Sequence, residues 1–262
     1  MSNHELTIFA VTGIQDIVPG DNLAEIITSR VQLQDYDVLI ITQKIISKAE
    51  GRVVKLADVD QSDKARSSDD IKESTDQLPS GPSGDDFMAA AKEKLVMSES
   101  RAILRRRGSL IISETKHGFI CANAGVDLSN VESGYAVLLP IDPEYSARRI
   151  RSQICHKLGI EIGVIITDTF GRPWRQGLTD VAIGVAGIGA IEDLRNSKDA
   201  YGNDLHATQV CVADEMAGAA NLVLGKSSKL PVAVIRGVDK GLFRQSSVRE
   251  EIIRPASEDL FR

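Results

Sequence analysis

A mixed fold of helices and strands, α+β or mixed α/β, is what this sequence predicts. Three observations carry that expectation. Short apolar runs rich in β-branched residues recur, such as 37–42 (DVLIIT), 162–167 and 232–236 (VAVIR), and read as buried strands. Stretches with helical spacing alternate with them. Only 4% of residues are aromatic, with one Trp, so the core must be built from Ile, Val, Leu and Ala.

Taken in order, residues 6–11 are short and apolar, with Thr7 and Phe9 favouring extended geometry. Residues 16–20 (DIVPG) form a loop, and Asp21 or Asn22 caps a helix towards Val31 with Leu23, Ile26 and Ile27 on one face. After the strand at 37–42, residues 57–86 are dominated by Asp, Ser and Lys and end in LPSGPSG. They offer almost nothing to a core, which predicts a solvated insertion. A helix over 87–107, closed by Gly108, would put Arg105, Arg106 and Arg107 in its last turn, where cations suit the dipole. Strands at 109–113, 118–124 and 136–139, a helix over 143–158 and a strand at 162–167 follow. Gly184, Gly187 and Gly189 miss the G-x-G-x-x-G order of a dinucleotide site and predict closely packed backbone. A strand at 207–213, a helix over 214–224 and a strand at 232–236 complete the chain. The whole, 1–262, reads as a single domain carrying the polar insertion 57–86.

Composition excludes several classes of function. With 42% hydrophobic and 26% charged residues, the 262-residue chain is not disordered throughout. A formal net charge of −6 provides no positive field for nucleic acid or anionic membrane. A small phosphate ligand needs only local donors or a metal. Cys121, Cys155 and Cys211 lie far apart with no CxxC pair, which excludes zinc-ribbon and dithiol readings and predicts reduced thiols in the cytoplasm. The N-terminus lacks the basic and apolar regions of a signal peptide, and no run of 18 apolar residues exists to span a membrane.

Four places could carry chemistry. Asp168 ends an apolar strand and is followed by Thr169 and Gly171. A carboxylate and a hydroxyl at a strand's carboxyl end suit a hard divalent cation, or a turn or cap. Asp127, after Gly125, offers a carboxylate with the Asn130 amide three residues on, as a ligand set or as an Asx-turn. Lys44 and Lys48 share a face if helical, and two like charges there call for an anion or for Glu50 between them. Asp214 could cap a helix, with Glu215 complementing its dipole. Gly225-Lys226-Ser227 is no P-loop, because the required upstream Gly is Ala220. His4, His117, His156 and His206 are scattered, and no GxSxG elbow exists.

The ordered blocks GIQDIVPGD (13–21), TQKIISKAEG (42–51), HGFICANAGVDLSN (117–130), LLPIDP (138–143), ITDTFGRPWR (166–175), YGN (201–203), ADE (213–215) and PVAVIRG (231–237) resemble the coenzyme F420-0:L-glutamate ligase family over nearly the whole chain. The resemblance implies a family-specific fold with mixed sheets and a homodimer sharing a sheet between subunits. It implies GTP as co-substrate, Mg²⁺ or Mn²⁺, and K⁺ as an aid. The reaction it implies joins L-glutamate to coenzyme F420-0 through an acyl phosphate and adds further γ-linked glutamates. Carried over by position, Ile14, Gln15, Asp16, Ile17, Gln43, Lys48 and Asn130 would contact nucleotide. Asp127, Asp168, Thr169 and Glu215 would hold metal, and Lys48 and Asp168 would be catalytic. Gln43 departs from the small hydroxyl residue usual in the family, and 57–86 is longer than expected. The other readings are a related metal- and nucleotide-dependent ligase with a different acceptor, and a non-catalytic GTP-binding protein.

Overall fold

The computed structural model describes residues 5–59, 84–129 and 131–260. In chain order the elements are β1 (Thr7–Ala10), α1 (Leu23–Thr28), β2 (Val38–Thr42), α2 (Gln43–Ala49), β3 (Val53–Lys55), α3 (Leu56–Val59), α4 (Gly84–Glu99), β4 (Ser100–Arg107), β5 (Leu110–Thr115), β6 (Ile120–Ala122) and β7 (Tyr135–Val137). There follow α5 (Pro143–Leu158), β8 (Gly163–Arg172), β9 (Arg175–Ala186), β10 (Glu192–Asp193), β11 (Gln209–Val210), α6 (Val212–Leu224), β12 (Val232–Arg236) and α7 (Val248–Glu251). The mixture of helices and several sheets agrees with the expected class. Among the described residues no helix is long and apolar enough to cross a membrane. The chain divides into two compact units, Met1–Gly51 with Pro140–Arg262, and Arg52–Leu139.

The first unit is built on a five-stranded sheet of order β1-β12-β2-β8-β9. Only β2 and β8 run parallel, with Thr42 beside Thr167. Helix α5 packs on β8 and β9, and α6 on β9, β1 and β12. Val38–Ile41 and Val164–Ile166 are buried without alternation, as expected of strands covered on both faces. Asn22 and Asp142 cap α1 and α5 with their side chains, and Gly159 ends α5 in the left-handed conformation. The buried Asp37 carboxylate accepts two bonds of 2.8 Å from the Arg236 guanidinium, fastening the entrance of β2 to the end of β12.

Gly184 in β9 shows why the glycine-rich stretch is packed backbone. A Cβ there would lie 2.6 Å from the Pro143 carbonyl at the start of α5. Beyond the sheet, β8 and β9 continue as a hairpin whose two-residue turn is Pro173-Trp174. Trp174 has a positive φ and is 86% exposed.

In the second unit, β4-β5-β6 form one small sheet and β3-β7 another. Leu95, Val96 and Ala91 of α4 pack with Ile111, Val126, Ala136 and Leu138 in its core. The expected helix over 87–107 is corrected: α4 starts at Gly84 and stops at Glu99, and 100–107 is strand β4, turning back at Gly108 (φ 59°) to pair with β5. Antiparallel pairing across a tight glycine turn prevailed over helical composition. The three arginines therefore stand on an exposed strand, Arg106 forking onto Glu93 at 2.6 and 2.8 Å. The expected strand at 207–213 is also shorter, because Val212 already begins α6. Most of the polar insertion lies outside the described residues, while 57–59 and 84–86 belong to α3 and α4.

Candidate active site

At the carboxyl end of the parallel pair, β2 turns directly into α2. Lys44 and Lys48 are helical as the spacing requires, both half-buried. Gln43 is 1% exposed, and its Oε1 accepts the Ser47 hydroxyl at 2.8 Å. Its Nε2 is buried with no hydrogen-bond partner among the described residues, and so is Thr167 Oγ1 on the neighbouring strand. Buried polar groups almost always find partners, so each of these two atoms marks a point where a partner is wanted.

The loop carrying Ile14, Gln15, Asp16 and Ile17 joins β1 to α1. Gly20 N–H donates to Ala49 O at 2.8 Å, tying that loop to the last turn of α2 beside Lys48. Ile17 is buried, while Gln15 and Asp16 are exposed. That bond joins the end of the loop, three residues after Ile17, to the residue after Lys48.

Strand β8 does not end at 167 as expected but runs to Arg172, so Asp168 lies within a strand. Successive side chains of a strand point to opposite faces, which separates Asp168 from Thr169. Asp168 shares the face of Ile166 and Gly184, on which α5 sits, and Thr169 lies opposite Asp180. The register slips between Ile166 and Thr167, with Ile183 as the extra residue of β9. The Asp214 carboxylate accepts the Ala182 N–H at 2.8 Å at that bulge. Asp214 is thus no helix cap; Cys211 holds the cap position of α6. Burial raises the Asp214 pKa, and burial with the Asp214 charge pushes the Cys211 thiol up to about 12, leaving it unreactive. Glu215 is exposed in the first turn of α6.

Thr169 Oγ1 donates to Asp180 Oδ1 at 2.6 Å. The Lys226 ammonium, from the loop after α6, contacts Thr169 Oγ1 and lies 3.3 Å from Asp180 Oδ1. Neither Asp180 nor Lys226 was singled out from sequence for this place. Only the hairpin register puts Asp180 opposite Thr169.

In the second unit Asp127 forms an Asx-turn, its Oδ1 accepting Ser129 N–H at 2.7 Å and its Oδ2 the Ser129 hydroxyl at 3.0 Å. Asn130 lies outside the described residues.

A family model described as F420-0:Gamma-glutamyl ligase matches residues 13–237. The chain belongs to the F420-0:gamma-glutamyl ligase family. It is similar to the Coenzyme F420:L-glutamate ligase of Methanothermobacter thermautotrophicus, 39% identical over 98% of this chain and 99% of the relative. The proteins of the same name from Archaeoglobus fulgidus (40%, over 97% and 96%) and Methanocaldococcus jannaschii (38%, over 92% and 90%) are comparably alike. The side chains described in this subsection lie within that span.

Among the described residues no three His, Cys, Asp or Glu side chains gather as a metal cage. Mg²⁺ binds through one or two carboxylates together with substrate phosphates. Asp127 and Asp168 are carboxylates of that kind.

Proposed function

We propose that this protein joins L-glutamate to the terminal carboxylate of coenzyme F420-0, extends the product by γ-linked glutamates, and drives each ligation with GTP. The observation that carries this reading is the end-to-end likeness to relatives named Coenzyme F420:L-glutamate ligase. A carboxylate does not react with an amine at neutral pH, because its leaving group would be oxide. Attack of a carboxylate oxygen on the γ-phosphorus releases GDP and gives an acyl phosphate. The glutamate nitrogen then bonds to the acyl carbon, phosphate departs, and the nitrogen gives up a proton.

Ile14, Gln15, Asp16 and Ile17, with Gln43 and Asn130, are assigned to the nucleotide. The buried Gln43 Nε2 and Thr167 Oγ1 support this, since both can donate to a ligand oxygen. Lys48, in the last turn of α2 beside that loop, adds a fixed positive charge for the transferred phosphoryl group. Asp127, Asp168, Thr169 and Glu215 are the residues assigned to Mg²⁺ or Mn²⁺, which when bound neutralises phosphate charge. K⁺, a homodimer and a cytoplasmic setting complete the reading.

The test is incubation with GTP, Mn²⁺, L-glutamate and F420-0, followed by mass spectrometry. Glutamylated product with GDP release is expected; GTP binding with no phosphate release would leave a non-catalytic binder, and product only from another acceptor would name a different ligase. Asp168→Asn is expected to keep the native circular dichroism and lose on the order of 100-fold in rate, taking the 10–100-fold cost of outer-shell losses as a lower guide. Normal turnover by that variant would remove Asp168 from the mechanism.

A further inference from the structure

Helix α2 begins with a side chain whose two ends are treated differently. The Gln43 amide is 1% exposed, and its Oε1 accepts the Ser47 hydroxyl at 2.8 Å. Its Nε2 is buried with no hydrogen-bond partner among the described residues. Ser47 is itself fully buried, one helical turn further on and on the same face of α2. Nothing assigned to the nucleotide or the metal includes Ser47. A primary amide can turn over and offer a donor or an acceptor at the same place, because its oxygen and its NH₂ group have nearly the same shape. A hydroxyl has a single proton to give, and Ser47 gives it to Oε1. Nε2 is then the end left over at the carboxyl end of β2, and only an acceptor atom can receive its protons.

We propose that Ser47 is a positioning residue for the nucleotide: its hydroxyl fixes the Gln43 amide so that Nε2 donates to an acceptor oxygen of GTP. The inference rests on the nucleotide reading of Gln43 and adds to it the residue that decides which way the amide faces. A donor already held in place loses little freedom on binding, and a buried N–H without a partner regains its lost hydrogen bond when an oxygen arrives. The phosphate oxygens and the guanine carbonyl of GTP are both acceptors of this kind.

The experiment is calorimetric titration of GTP in Mg²⁺ buffer, without F420-0 or glutamate, so that no ligation intervenes. The proteins are the native chain, Ser47→Ala, Gln43→Met and the double variant, with thermal melting of each. Ser47→Ala weakens GTP binding about 3–10-fold, the worth of one hydrogen bond. Gln43→Met weakens it at least as much, and Ser47→Ala adds nothing further in that background, since the two residues act as one unit. If Ser47 serves the fold alone, or if Nε2 holds an internal water instead of the nucleotide, Ser47→Ala lowers the melting temperature and leaves GTP affinity unchanged. That result would overturn the proposal, as would losses that add in the double variant. A GTP analogue with sulfur in place of the guanine carbonyl oxygen, a weaker acceptor, locates the contact. A preference for GTP that vanishes in Ser47→Ala puts the oxygen on the base, and one that Ser47→Ala leaves as it was puts it on phosphate or ribose. A native chain that binds no GTP removes the nucleotide reading and this inference together, whereas native binding with an unaffected Ser47→Ala removes this inference alone.

Discussion

The two main sheets of this molecule solve the same problem under different constraints. The five-stranded sheet is covered on both faces, and its central strands VLII and GVIIT bury every side chain. The β4-β5-β6 sheet has one buried face: Ile111, Ser113 and Cys121 are enclosed, while Leu110, Ile120, Arg105 and Arg107 meet solvent. A strand buried on both sides leaves a polar residue such as Thr167 in want of a partner and has little room for an added methyl group. A strand with one wet face tolerates substitution at every second position.

That contrast can be broken at its strongest point with Gly184→Val. The new side chain would meet Pro143 backbone, which cannot yield as a side-chain tip would, and a loss of about 3 kcal/mol or more is expected in urea unfolding. A native midpoint would show that α5 can shift away from β9. The next largest effect compares equal truncations. Ile165→Ala, enclosed from both sides, is expected to cost about 4 kcal/mol, and Ile111→Ala, in the smaller core under α4, about 2–3 kcal/mol. A reversed order would mean that the small sheet is the more tightly packed. Smallest of all, Arg105→Ser and Arg107→Ser on the wet face of β4 should leave the unfolding midpoint where it is. A clear loss there would show that these two side chains support the strand.

The same contrast explains what could be read from sequence. Continuous β-branched runs identify β2, β8 and β12 because no other element buries such runs so briefly, and the Pro143 start and Gly159 end delimit α5. Strand β4 reads as helix in the sequence because SRAILRRR has good helix formers and no alternation of its own; the reason it is extended lies in β5, just beyond the turn. The 14–17 loop and Lys48 could be proposed from sequence, but not the Gly20–Ala49 hydrogen bond that ties the end of that loop to the last turn of α2. Asp180 was out of reach. Counting by twos down β9 from Val185 leads to Val181, and only the extra residue at Ile183 brings Asp180 opposite Thr169. An insertion of one residue in a ladder leaves no local mark in composition.

The tip of that hairpin offers a practical dividend. Trp174 is the sole tryptophan of the chain and stands at the turn joining the two strands that carry Thr169 and Asp180. Its fluorescence is therefore a single-position optical signal from this hairpin, already present in the native protein, with no label to attach and no second indole to subtract.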